Sequence, residues 1–70
     1  MIEKHKDLIR MIDARKAIPP SLEPLVVRAY EEVFGRDENF EGWVKCKCPS
    51  YVKLFYTELK KQLLIYERRI

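Results

Sequence analysis

Glycine is almost missing from this chain: Gly35 and Gly42 are the only two in 70 residues. A glycine-rich phosphate loop is therefore excluded. Cysteine is equally scarce, with Cys46 and Cys48 alone, so no dense disulfide framework holds the fold and a reducing compartment is the expected setting. Histidine occurs once, at His5. No Ser/His/Asp set and no HExxH helix can be assembled, and His5 is read as a packed or surface residue. There is no run of 18 apolar residues, so no membrane-spanning helix is expected. The first ten residues, MIEKHKDLIR, are charged from residue 3 and carry no apolar signal core. The expected address is the cytoplasm of a cell or of a host cell. Neither an internal repeat nor a low-complexity segment is present.

What is present is apolar periodicity. Hydrophobic residues make up 47% of the chain, enough for one compact core, so residues 1–70 are expected to form a single small helical domain. The stretch from Cys46 to Ile70 organises it. Val52, Phe55, Leu59, Leu63, Tyr66 and Ile70 recur at three- and four-residue steps, the spacing of one helical face. Pro49 suits a first helical position, with Cys48 or Ser50 as the cap and Ser50 the better side chain for it. About 20 residues at 1.5 Å each give a rod of about 30 Å.

Two further helices precede this one. Ile2, His5, Leu8, Ile9, Met11 and Ile12 cluster on one side of a helix over 2–16, which Ala17-Ile18-Pro19-Pro20 ends. Ser21 reads as the N-cap of a second helix, to residue 34, with Glu23 in its first turn and Gly35 as its stop. Leu22, Leu25, Val26, Ala29, Tyr30 and Val33 form its apolar face. The 13 residues from Arg36 to Cys48 are long for a helix–helix connection, and Phe40 and Trp43 argue that they fold back on the core. Val44, Cys46 and Cys48 alternate with Lys45 and Lys47, which predicts a short extended segment with one buried side. The fold expected is all-α: a three-helix domain over 2–16, 21–34 and 49–69, with a long ordered connection before the C-terminal helix.

Charge is polarised along the chain. From Lys45 onward seven Lys or Arg face two Glu, a net of +5, whereas residues 1–44 carry a net of −2. Lys45, Lys47, Lys53, Lys60, Lys61 and Arg68 form a basic row on and before the last helix. It can contact phosphates or be an ordinary solvated face. No base-reading cluster stands out, and the connection is too long for a helix-turn-helix.

Cys46 and Cys48 permit three readings. Thiolates bind zinc, but a closed site needs four ligands. A thiol at a helix N-terminus beside lysines would be acidified, but no thioredoxin-like context surrounds it. Packing is the expectation, with both cysteines as small semi-buried residues on the inward side of an extended segment. No cofactor is expected. Trp43, Tyr51, Tyr56, Leu54 and Ile65 exceed what one apolar stripe can bury, and aromatic residues are enriched at interfaces. Phe40, Trp43, Tyr51, Leu54 and Tyr56 are therefore the expected partner-binding set. Whether Phe55 and Leu59 belong to core or contact would be separated by alanine: a core residue costs about 2–5 kcal/mol, and a contact residue leaves the fold intact.

The order Tyr30…Phe34-Gly35, a loop with a close cysteine pair, then a helix with Tyr56…Glu58-Leu59-Lys60 resembles small proteins encoded by tailed phages of Bacteroidota and related bacteria. The resemblance covers about residues 28–62; the family pattern has Cys-x2-Cys where this chain has Cys46-x-Cys48. It implies a viral origin, in host cytoplasm or virion, and no assigned chemistry. Together these readings predict a non-enzymatic protein–protein interaction module, a small phage accessory or virion component that docks on a larger protein or on a second copy. Nucleic-acid binding or regulation through the basic row is the alternative.

Overall fold

Helical spacing governs the chain, and the computed structural model, which describes residues 2–69, is built from helices alone. They are α1 (Lys6–Arg15), α2 (Glu23–Phe34), α3 (Glu38–Cys46) and α4 (Pro49–Arg68), with short 3₁₀ turns at Ile2–His5 and Pro20–Leu22. The class is all-α, as expected, and no strand occurs among the described residues. Ile70, placed on the apolar stripe of α4, lies outside the described residues.

The connection before α4 is the main departure. Most of it is α3, not an extended segment. Asp37 explains this: its backbone is extended, and its side chain accepts a hydrogen bond from the Phe40 N–H at 3.0 Å. Glu38 and Glu41 add negative charge in the first turn, where the helix dipole favours it. The Val44–Cys48 alternation is too short to compete with a capped helix once it is nucleated. The helix ends at Lys47, whose φ of 55° is left-handed and whose N–H donates to the Trp43 carbonyl.

The other boundaries differ in detail. The first helix opens as a 3₁₀ turn and closes on Lys16, also left-handed at φ 56°. Ser21 does not cap α2. The turn Pro20–Leu22 is already helical, so Leu22 holds the cap position with α-region backbone and without a side-chain hydrogen bond. Gly35, at φ 80°, stops α2 with its N–H on the Glu31 carbonyl. Before α4 the cap position falls to Cys48, not Ser50, and no side chain bonds there.

The core follows α4. Val52, Phe55, Leu59 and Leu63 are buried along it, and α1, α2 and α3 all pack on it while α1 and α2 touch each other little. Phe55 and Leu59 are 0% exposed, which assigns both to the core. Ile9 and Ile12 enter from α1, Val26, Val27, Ala29 and Tyr30 from α2, and Phe40 from α3. The body is thin, 37 × 25 × 15 Å along its principal axes. A slab of this thickness covers only a narrow stripe of each helix. Met11 and Leu25, expected on apolar faces, are therefore 44% and 47% exposed.

Gly42 shows how α3 and α4 meet. A β-carbon there would lie 2.5 Å from the Tyr51 hydroxyl oxygen and 2.8 Å from its Cζ, so the ring occupies the space a side chain would need. Mid-helix glycine is worse than alanine by about 0.5–1 kcal/mol, and close packing offsets that loss. Gly42→Ala is expected to destabilise the chain by about 1 kcal/mol. In a Tyr51→Ala background the same change should stabilise by about 0.5–1 kcal/mol. Urea denaturation of the four proteins measures both terms, and equal effects in the two backgrounds would refute the contact.

Candidate functional site

Two segments far apart in sequence meet at one end of the slab: residues 16–24, from the close of α1 into α2, and residues 43–53, across the α3–α4 corner. Between them run three adjoining clefts. The largest, about 400 Å³, has Trp43, Val27 and Val52 with Pro20 and Pro24 along its walls and Lys47 at its edge. The next, about 280 Å³, shares Glu23 and Val52 with it and is bounded by Lys16, Ile18, Pro49 and Lys53. The third, about 260 Å³, shares Lys16, Ala17, Ile18 and Lys53 with the second and ends at Ile12, Asp13 and Tyr56. Shared walls make them one open groove with an apolar floor and lysines along its rim.

The charges of the groove are unevenly committed. Asp13, at the far end, sits 2.5 Å from the Lys60 ammonium and accepts a hydrogen bond from the Tyr56 hydroxyl at 3.3 Å. The hydrogen bond from Lys60 holds the Asp13 carboxyl below the ordinary carboxylate value, and the same contact raises Lys60. Burial, then the Asp13 charge, push the Tyr56 hydroxyl up. Lys47 lies 4.0 Å above the centroid of the Trp43 ring, a cation–π contact that covers one face of the indole. Lys16 and Lys53 form none of the ion pairs found among the described residues.

The predicted partner-binding residues are dispersed by the fold. Phe40 is 4% exposed, packs 6.3 Å from the Phe55 ring and lines none of the three clefts, so it belongs to the core. The helix that replaces the extended segment turns it inward. Trp43 and Tyr56 are half-buried and line opposite ends of the groove. Tyr51 and Leu54 are half-buried outside the groove walls, Tyr51 against Gly42 and Phe55.

The predicted basic row is divided in the same way. Lys47 and Lys53 border the groove, Lys60 is taken by Asp13, and Lys61 lies 3.8 Å from Glu58 one turn away. Lys45 and Arg68 are exposed. Lys16, Ile18, Glu23 and the two prolines join the groove without belonging to either predicted set. The one local sign was a lysine just ahead of an apolar residue in a rigid Pro-Pro linker.

The cysteines are placed differently from the packing expectation. Cys46 is exposed at the last residue of α3, and Cys48 is half-buried just before α4. The Cys48 N–H donates to the Cys46 Sγ at 3.3 Å. A hydrogen bond with the Cys46 thiol, then burial, push the Cys48 thiol up from its ordinary value, against the acidification expected at a helix N-terminus. Among the described residues no three His, Cys, Asp or Glu side chains converge as a ligand group. His5 Nε2 lies 2.7 Å from Glu32 Oε2 but off hydrogen-bond geometry, so it has a charged neighbour without a well-directed bond. No described helix is long and apolar enough to cross a membrane.

Comparison with family models, with curated proteins and with solved structures finds no match for this chain.

Proposed function

We propose that this chain is a non-enzymatic interaction module that docks on a larger protein through the groove between residues 16–24 and 43–53. In keeping with the resemblance to tailed-phage proteins, we read it as a small accessory or virion component. The observation that carries the docking reading is the continuity of the three clefts, an open groove from Trp43 past Ile18 to Tyr56 floored by the buried side chains of Val52 and Ile12. Binding sites are concave and largely apolar, with a few polar groups that fix orientation. The nucleic-acid alternative loses support because two of its six cations, Lys60 and Lys61, already have carboxylate neighbours. An exposed lysine without such a neighbour is the better phosphate ligand.

Site-specific photo-cross-linking in the host cell tests this reading. A photoreactive residue at Tyr56, inside the groove, is expected to give a discrete adduct with one protein. The same residue at Ile65, 46% exposed on the last turns of α4, is expected to give none. Adducts to nucleic acid from the Tyr56 position, or none at all, would overturn it.

A further inference from the structure

The lysines of the groove suggest what it holds. Lys16 and Lys47 are the only described residues other than glycine with positive φ, at 56° and 55°. Left-handed positions that close helices favour glycine, because a β-carbon is strained there. Two separate helices, α1 and α3, thus each end on a strained lysine, and both lysines stand on the rim of the same groove. A helix dipole also welcomes cations at its C-terminus, so the strain alone names no ligand. The shared rim does, and Lys53 joins it from the first turns of α4. Against these three cations the groove sets one uncommitted carboxylate, Glu23, in its middle, while Asp13 at the end is neutralised by Lys60.

We propose that the groove takes an acidic segment of a partner protein. One apolar side chain sits in the Trp43–Val52 cleft, with carboxylates toward Lys47 on one side and toward Lys16 and Lys53 on the other. This rests on the docking reading above and adds the chemistry of the partner. Charge complementarity selects an acidic occupant, and the apolar floor with its two prolines selects one that brings a hydrophobic anchor. A polynucleotide would meet the cations but not the floor, and one face of Trp43 is covered by Lys47 instead of open for base stacking.

The test pans a displayed library of random short peptides against the immobilised full chain. Enriched peptides are synthesised and titrated into the isotope-labelled protein by NMR. Expected are peptides with Leu, Phe or Trp flanked by Asp and Glu, and shifts at the Trp43 indole and at the amides of residues 16–18, 47, 48 and 50–53. The pair Lys16→Glu/Lys53→Glu should weaken them about tenfold, and the remote pair Lys61→Glu/Arg68→Glu by no more than about twofold. Basic or uncharged peptides in the groove would overturn the acidic assignment. Peptides that shift only the Leu64–Ile65 surface would overturn the groove and, with it, the docking reading placed there, whereas basic or uncharged peptides in the groove would leave that reading standing. No enriched peptide would likewise end the groove proposal. If an oligothymidylate then bound with a steep loss between about 50 and 200 mM salt, the docking reading would fall with it.

Discussion

Replacing Phe55 by alanine is expected to unfold the chain. Phe55 is 0% exposed and lies where three helices converge. Its ring centroid is 4.2 Å from Tyr30 of α2, 6.3 Å from Phe40 of α3 and 6.3 Å from Tyr51 on its own helix. Truncating a buried phenylalanine costs about 3–5 kcal/mol, the lost burial plus the cavity left behind. A single core of this size supplies no more than about 3–5 kcal/mol in all. The variant should show neither a cooperative thermal transition by circular dichroism nor a dispersed NMR spectrum. A sigmoidal melt within about 5 °C of the parent, worth roughly 1 kcal/mol, would show that the aromatic cluster does not hold the fold. Ile65→Ala, at a 46% exposed position, is the matched control, and its effect should stay within about 0.5 kcal/mol.

Asp37→Ala is expected to have the next largest effect, because one carboxylate performs two tasks. One oxygen caps α3 through the Phe40 N–H at 3.0 Å, and the other accepts from the Tyr30 hydroxyl at 2.5 Å. Losing an N-cap costs about 1 kcal/mol. Leaving the hydroxyl of Tyr30, a residue 2% exposed, without its acceptor adds about 1–2 kcal/mol. The expected total is about 2–3 kcal/mol by urea denaturation. In a Tyr30→Phe background the loss should shrink toward the cap alone. Full additivity of the two changes would refute the shared role.

The same residue gives stability a pH dependence. Burial pushes the Asp37 carboxyl up, but the Tyr30 hydroxyl and the Phe40 and Asn39 N–H groups outweigh it and hold it below 3.8. A depressed value in the folded state means that the unfolded chain binds the proton more tightly. The contribution is therefore complete above pH 3.8 and is lost as pH falls through the lower folded value. Asp13 shifts in the same direction, but solvent screens its surface pair with Lys60. Asp37→Asn should flatten the acid limb of the stability profile. Tyr30 answers at the other extreme: burial, then Asp37, push its hydroxyl up to about 12.

What could be read from the chain alone was whatever local spacing determines. The α4 stripe of Val52, Phe55, Leu59 and Leu63 is buried as its spacing implied, and Pro49 and Gly35 mark a start and a stop. Competing local signals were harder to weigh. Around Val44–Cys48 an alternation of five residues stood against a cap at Asp37 nine residues before Cys46, and the cap prevailed because a nucleated helix gains a hydrogen bond with each residue added. Ser21 failed as a cap because the prolines around it had already bent the backbone into a turn. The groove was illegible for a different reason. Lys16 and Ile18 meet Pro49 and Lys53 only through the packing of α1 and α2 on α4, and no periodicity encodes that meeting. Phe40 shows the converse error, since an aromatic in a supposed loop reads as a contact until a helix turns it inward.

The hydrogen bond between Tyr66 and Glu3, at 3.0 Å, and the ion pair of Arg10 with Glu67 bring the two ends of the described chain side by side. Lys53 lies 13 residues back from Tyr66 along α4, a distance of about 20 Å. The chain near Glu3 and the chain near Tyr66 thus lie together at the end of α4 away from the Trp43–Val52 cleft, with the Asp13 end of the groove between. The domain can be grafted whole into a surface loop of a carrier protein, or tethered by either end, with its opposite end left free to present itself.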